Sequence, residues 1–164
     1  MRIAKILLFP VFLLFPLLMV HAQGREILGR TSADEIRAEH RIFDIYTNRY
    51  QPDSIAIDYL RQFEDSVRIK VFFGTWCHDS KREIPAFFKT LEGANNPKFI
   101  VEFIGVSRAK TDPDSLYIGL NLSYTPTFII YHDNKEIGRI IEEPASSIEE
   151  DLVEILKAGV PQNH

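Results

Sequence analysis

The residues with the clearest capacity for chemistry form one short run, Trp76, Cys77, His78, Asp79 and Ser80. Cys77 is the one cysteine of the 164-residue chain. A thiolate attacks disulfides and also binds soft metals, so this run could exchange disulfides or hold a metal. A serine hydroxyl cannot form a disulfide, so Ser80 limits the chain to the chemistry of a single thiol. A lone cysteine is often an inert buried residue. The residues around Cys77 must therefore show whether it is reactive or inert.

The sequence before and after Cys77 predicts a strand that leads directly into a helix. Residues 67–73, VRIKVFF, are mostly β-branched and aromatic, which is typical of a strand. A helix is predicted from Cys77 to about Leu91. Because the first turn of a helix has unpaired N–H groups and the positive end of the helix dipole, it stabilises an anion. We therefore expect the thiolate of Cys77 to be favoured, and a protonated His78 would favour it further.

Other patterns predict the elements around this unit. The capping-box spacing from Ser32 to Glu35, with the apolar residues that follow, predicts a helix over 32–48. From residue 67 onward the predicted order is β-α-β-α-β-β-α. The remaining predicted elements are helices over 54–65, 112–120 and 147–158 and strands over 98–107, 127–131 and 136–141, the last two as a hairpin. The acidic residues from Glu149 to Asp151 are expected to be solvated at the start of the last helix.

The start of the chain predicts a secretory signal peptide over residues 1–22. Arg2 and Lys5 precede an apolar run of about fifteen residues and a small residue, which is the signal-peptide pattern. The run is short for a transmembrane helix and contains two prolines, so cleavage before Gln23 is favoured over a membrane anchor. We therefore expect a secreted protein.

Domain size and charge limit the kinds of partner. Residues 23–52 are predicted to form an N-terminal helical extension, and residues 53–164 a single domain. The net charge is −4, and it becomes −6 without Arg2 and Lys5. A negative net charge argues against nucleic acid or an anionic membrane surface as a partner. We expect no nucleic-acid partner, and no membrane contact after signal cleavage.

Four features together resemble the thioredoxin family. Residues 76–80 are similar to the family's W-C-x-x-C motif, with its last cysteine changed to serine. Pro85 lies eight residues after the thiol, where thioredoxins have the proline of their active-site helix. Thr125-Pro126-Thr127 precedes the predicted hairpin, where the family has a cis-proline. Gly138 in the last strand, followed by a terminal helix, completes the pattern.

The resemblance covers about residues 53–158 and carries implications for fold and site. It implies an α/β thioredoxin fold, with a central mixed β-sheet flanked by helices and an extra N-terminal helix. Secreted bacterial thioredoxin-like proteins are the most similar kind, so it also implies the bacterial periplasm. In such a site Cys77 and Ser80 are the catalytic positions. An extended substrate peptide would be held by three residues, Trp76, Thr125 and Pro126.

Two departures from the family pattern bear on the chemistry. Ser80 replaces the second cysteine, and Val71 stands where thioredoxins carry a buried aspartate that serves that cysteine. Their joint loss fits exchange by Cys77 alone, and it also fits a site whose redox function has decayed. We predict thiol–disulfide exchange with protein or small-molecule disulfides, resolved by an external thiol reductant, as in a monothiol oxidoreductase or isomerase. The alternative is a non-catalytic thioredoxin-like module that binds a partner peptide.

Metal binding and peroxide reduction are further alternatives. His78 is adjacent to Cys77, and neighbouring residues rarely supply two ligands to one tetrahedral site. Four well-spaced ligands cannot be assembled from the chain. Thr75 lies two residues before the thiol, as in peroxiredoxins, but the earlier proline of that motif is absent from residues 71–74. We predict neither a metal nor a cofactor.

Overall fold

The structure, a computed structural model, describes residues 25–161, so the signal peptide predicted over 1–22 lies outside the described residues. The described part of the chain contains one five-stranded sheet and five helices. The strands are β1 (Gly29–Thr31), β2 (Val67–Phe73), β3 (Phe99–Gly105), β4 (Thr127–His132) and β5 (Lys135–Ile141). The helices are α1 (Ala33–Glu39), α2 (Arg41–Arg49), α3 (Ser54–Gln62), α4 (His78–Ala94) and α5 (Ile148–Gly159).

The sheet is mixed, with β2 at its centre. The strand order is β1-β3-β2-β4-β5. β2 pairs in parallel with β3 and antiparallel with β4, β4 pairs antiparallel with β5, and β1 pairs antiparallel with β3. Helix α4 is the crossover between the parallel pair, as a parallel connection requires. The predicted α/β class, with a central mixed sheet flanked by helices, is confirmed.

The two faces of the sheet are buried in different ways. Alternate residues of β2, including Ile69, Val71 and Phe73, belong to the large core to which all five helices contribute. Phe72 points to the other face, because side chains alternate along a strand, and it packs there with Ile104 and Ile129. This second cluster is covered by apolar residues of the segment between β3 and β4, namely Leu116, Tyr117, Leu120 and Leu122. β2 is therefore buried on both faces, and α4 follows this buried strand directly in the chain.

Local sequence explains where the helices begin and how the hairpin turns. Asp53 accepts from the amide of Ala56 at the start of α3, and Ser147 accepts from the amide of Glu150 at the start of α5. β4 and β5 are joined by two residues with positive φ, Asp133 and Asn134, as a tight hairpin turn requires. These elements lie where the sequence predicts them.

The N-terminal extension differs from the single helix predicted over 32–48. His40 interrupts that segment, so two helices, α1 and α2, form in place of one. Strand β1 precedes them and extends the sheet beside β3. Phe43 of α2 is fully buried and its ring meets Phe73 edge-on, with 6.3 Å between centroids. The extension is thus part of the same core as the rest of the chain.

The prediction of a short helix over 112–120 is wrong, because this segment forms turns. The carboxylate of Asp112 accepts hydrogen bonds from the amides of Asp114, Leu116 and Tyr117. Ser115 has a φ of 57° and Gly119 a φ of 77°, which a right-handed helix excludes. The Asp-Pro-Asp-Ser pattern thus caps a turn, and no helix follows it.

Across residues 25–161, none of the helices combines the length and apolar character that crossing a membrane requires.

Candidate active site

The turn between β2 and α4 positions Cys77. The amide of Cys77 donates to the carbonyl of Gly74 at 2.9 Å, and its own carbonyl accepts from the amide of Lys81 at 3.2 Å. Cys77 is therefore the N-cap residue of α4, with extended backbone angles. Its side chain makes no capping hydrogen bond to the first amides of the helix.

The thiol lies against a second, distant segment of the chain. Its Sγ atom donates to the carbonyl oxygen of Thr125 at 3.0 Å, across 48 residues of sequence. The Thr125–Pro126 peptide bond is cis. The segment is held in place by the Thr127 hydroxyl, which donates to the Tyr124 carbonyl, and by the amide of Glu142, which donates to the Pro126 carbonyl. The structure thus brings together Cys77, Thr125 and Pro126, which the sequence predicts as one site.

Cys77 is shielded from solvent. Only 9% of the residue is exposed, and Thr125 is also buried. Val71, at the position of the missing aspartate, is fully buried on β2, in register with Phe103 and Phe128. The thiol and the backbone segment that it contacts are therefore both buried.

Ser80 is fully buried one turn into α4. Its Oγ atom accepts a hydrogen bond from the amide of Gly74 at 3.2 Å. This hydrogen bond joins the buried hydroxyl to the turn that carries the thiol.

Trp76 lies beside the thiol, with its ring against the start of the turn. Its Nε1 donates to the carbonyl of Val106 at 3.0 Å. A Cβ atom added to Gly74 would lie 2.5 Å from the indole, so only glycine permits this approach. Two cations lie over the ring: Cζ of Arg108 is 4.9 Å and Nζ of Lys110 is 5.7 Å from its centroid. The half-buried indole therefore connects the thiol turn with the loop after β3.

His78 is adjacent to the thiol in sequence, but its contact is with an acid. The imidazole is 87% exposed and its Nδ1 lies 3.6 Å from Oδ1 of Asp79. Asp79 in turn lies 3.6 Å from Nη2 of Arg82, which pairs with Glu143 at 2.7 Å. The first turn of α4 thus begins an exposed ionic network. The structure gives no contact of His78 with the Cys77 sulfur.

Two buried carboxylates near α4 were not found by sequence reasoning. Glu149 was expected to be solvated, but it is 1% exposed, so that expectation is wrong. It accepts from the Tyr50 hydroxyl at 2.9 Å, from the amide of Asp53 at 2.8 Å and from the Thr90 hydroxyl at 3.4 Å. Burial next to this carboxylate raises the pKa of Tyr50 well above its usual range.

Glu83 is the second buried carboxylate, and it lies on α4 itself. Burial raises its pKa, and the hydrogen bond and charge of the adjacent Arg82 only partly oppose this. Its position on the helix, six residues after Cys77, gives no sign of this burial in the sequence.

Metal ligands do not gather around the thiol. Within residues 25–161 there is no group of three or more His, Cys, Asp or Glu side chains that could hold a metal ion. The chemistry open to the site is that of the thiol with the Thr125 backbone beside it.

Comparison with known proteins finds solved structures that are similar to this chain. An HIV epitope-scaffold is similar to this chain with a TM-score of 0.52 at 20% identity, over 79% of this chain and 78% of that chain. At this identity the likeness concerns the fold alone. The strand order and the helix between the parallel strands β2 and β3 agree with the thioredoxin-like fold that the sequence predicts. No protein-family model and no curated protein sequence matches it.

Two further solved structures are similar to the chain at lower TM-scores. A protein of unknown function from Pseudomonas aeruginosa has a TM-score of 0.49 and 22% identity, over 79% of this chain and 77% of that one. Thioredoxin f2 from Chlamydomonas reinhardtii has a TM-score of 0.44 and 17% identity, over 64% of this chain and 90% of that one.

Proposed function

We propose that the protein carries out thiol–disulfide exchange through Cys77, with an external thiol completing the reaction. The observation that supports this most is the contact of the Cys77 sulfur with the Thr125 carbonyl at 3.0 Å, at the start of α4. It places a thiol beside a backbone segment that could hold a peptide disulfide in line for attack.

The reaction has two steps, and each conserves thiols and disulfides. In the first, the Cys77 thiol loses its proton to solvent and its sulfur attacks one sulfur of the substrate disulfide. A Cys77–substrate disulfide forms while the second substrate sulfur leaves as a thiolate. In the second, an external thiolate attacks the substrate sulfur of the mixed disulfide. A disulfide between the external thiol and the substrate forms, and Cys77 leaves as a thiolate that takes a proton from solvent. Because position 80 is a serine, the chain has no second thiol for this step.

The proposed partners follow from this cycle. The substrates are disulfides of proteins or small molecules, and the resolving group is an external thiol reductant. Trp76 would offer an apolar surface beside the sulfur, and the segment from Thr125 to Thr127 a backbone edge. A secreted location, in the bacterial periplasm, is part of the same proposal, because disulfides persist in oxidising compartments.

A second candidate function is a peptide-binding module without catalysis. Burial of Cys77 favours it, because a thiol with 9% exposure reacts slowly unless its cover moves. In that case the region around Trp76, Thr125 and Pro126 would bind a partner while Cys77 stays reduced.

Incubation of the purified protein with a disulfide-bonded peptide distinguishes the two functions. We expect a mixed disulfide at Cys77, visible as a mass increase, which disappears when an external thiol is added. Cys77→Ser is the control and should give no adduct. Peptide binding by wild-type protein without any adduct would reject exchange and support the binding module.

A further inference from the structure

The loop from Ser107 to Thr111, which follows β3, holds two cations against the thiol turn. Three contacts join Ser107 to Thr111: Ser107 N donates to Thr111 O at 2.9 Å, Thr111 N donates to Ser107 Oγ at 3.3 Å, and the two hydroxyls lie 2.8 Å apart. In addition, Lys110 N donates to Ser107 O at 2.9 Å. Lys110 takes a φ of 60°, which this tight closure imposes. The loop is thus a built element that presents Arg108 and Lys110 in a fixed position.

Both cations lie over the indole of Trp76, the residue that precedes Cys77. Cζ of Arg108 is 4.9 Å and Nζ of Lys110 is 5.7 Å from the ring centroid. The attraction of each cation to the ring holds it beside the thiol turn. The hydrogen bond from Trp76 Nε1 to Val106 O fixes the ring under them.

Neither cation has a carboxylate partner among residues 25–161. The ion pairs of the described residues involve neither Arg108 nor Lys110. By contrast, Arg82 and Arg139 are each paired with glutamates. Asp79, the acid closest to Cys77 in sequence, contacts His78 and Arg82. In a chain of net charge −4, two adjacent cations without an acid mark a local positive patch.

We infer that Arg108 and Lys110 select the substrate of the proposed exchange reaction: a disulfide-bonded peptide with an acidic residue next to its cysteine. This inference rests on the proposed function. Trp76 directly precedes Cys77, so a side chain next to the cysteine of a bound peptide would come near the ring that both cations contact. Charge complementarity at an exposed rim acts mainly on the rate of encounter and is weakened by salt.

The chemical step is the first exchange of the proposed cycle. The Cys77 sulfur forms a bond to the peptide's cysteine sulfur, and the leaving sulfur departs as a thiolate with the electron pair of the broken bond. One thiol and one disulfide are present before and after the step. The cations do not take part in bond making, so they are specificity determinants and not catalytic groups.

The test uses peptides whose cysteine carries a pyridyl disulfide, so that every peptide has the same leaving group. Three peptides differ only beside the cysteine, where they carry aspartate, serine or lysine. The second-order rate of pyridinethione release is measured for wild-type protein, Arg108→Gln, Lys110→Gln and the double variant. Lys135→Gln is the matched control, because Lys135 is an exposed cation at the opposite end of β4 and β5 from Thr127.

For wild-type protein, we expect the acidic peptide to react about threefold to tenfold faster than the serine peptide, the range of one or two exposed charge contacts. The ratio of the rate with the acidic peptide to the rate with the serine peptide should fall to near one in the double variant and stay unchanged in Lys135→Gln. In wild-type protein this ratio should decrease as the salt concentration is raised. The salt series needs no variant and so does not depend on folding of the double variant.

Two outcomes would overturn the inference. One is equal rates of the acidic and serine peptides with wild-type protein, and the other is a preference for the acidic peptide that Arg108→Gln and Lys110→Gln leave intact. Failure of every peptide to react would instead reject the proposed function, and the inference would fall with it.

Discussion

The amide of Gly74 donates a hydrogen bond to the hydroxyl of Ser80, with 3.2 Å between nitrogen and oxygen. The amide belongs to the turn after β2, and the hydroxyl to the first turn of α4, where it is fully buried. The residue that replaces the second thiol of a W-C-x-x-C motif therefore ties strand to helix on either side of Cys77.

Ser80→Ala should destabilise the protein. The substitution leaves the buried amide of Gly74 without its acceptor, which costs about 1–3 kcal/mol. The free energy of unfolding in urea measures the loss. Ser54→Ala, at an exposed position of α3, is the control and should change it by less than about 0.5 kcal/mol. Equal stability of both variants would show that the hydrogen bond contributes nothing.

Ser80→Cys should create a dithiol that oxidises to an intramolecular disulfide. The two cysteines would stand three residues apart at the start of α4, the spacing of the W-C-x-x-C motif. Insulin reduction should then appear or increase, and thiol counting after oxidation should find none free. Lys89→Cys is the control, since it lies about 18 Å further along the helix at about 1.5 Å per residue, and should keep two thiols. Two free thiols in Ser80→Cys would contradict the geometry at Cys77.

Glu83 should make stability depend on pH in a defined direction. Burial raises the pKa of its carboxyl in the folded protein above the value in the unfolded chain. Its contribution is therefore complete below the ordinary glutamate range and is lost as pH rises through the folded-state pKa. Wild type should lose stability relative to Glu83→Gln as the pH rises above the ordinary glutamate pKa of about 4.3, measured as the difference in urea midpoints. A constant difference, or one that changes in the opposite sense, would refute this.

Glu149→Ala should be among the more damaging substitutions outside the site. It removes the acceptor of the Tyr50 hydroxyl and of the Asp53 amide, at about 1–3 kcal/mol for each buried donor left unsatisfied. Thermal and urea unfolding measure the loss. Glu154→Ala, an exposed glutamate on the same helix, should be close to neutral. Similar values for the two variants would mean that water replaces the lost acceptor.

Wild-type protein should accumulate as mixed disulfides in an oxidising compartment. Because the chain has one cysteine, an adduct at Cys77 persists until an external thiol arrives. Non-reducing electrophoresis of alkylated extract should show higher bands that disappear on reduction and in Cys77→Ser. A single band at the monomer position would favour the binding module.

The parts of the fold that could be predicted are those that local pattern determines. β2 follows from its run of β-branched and aromatic residues, and the hairpin from its alternating strands around Asp133 and Asn134. The position of Cys77 between β2 and α4 follows directly from these boundaries. Each signal lies within about ten residues of sequence.

The parts that could not be predicted depend on contacts distant in sequence. Glu149 looks like an ordinary acid at a helix start, and its burial follows from Tyr50 and Asp53, almost a hundred residues away. Asp112 looks like a helix cap, but its carboxylate accepts hydrogen bonds from the amides of a turn. Arg108 and Lys110 carry no motif, and only the loop that folds them onto Trp76 reveals them.

Strand β1 has a consequence for how the molecule behaves among its own copies. It pairs with residues 103–105, at the end of β3 that would otherwise be the outer margin of the sheet. A chain starting at residue 53 would leave the outward main-chain donors and acceptors of residues 103–105 without these partners. Such margins recruit strands from neighbouring molecules. We therefore expect β1 to lower the tendency of copies of the chain to associate through this part of β3.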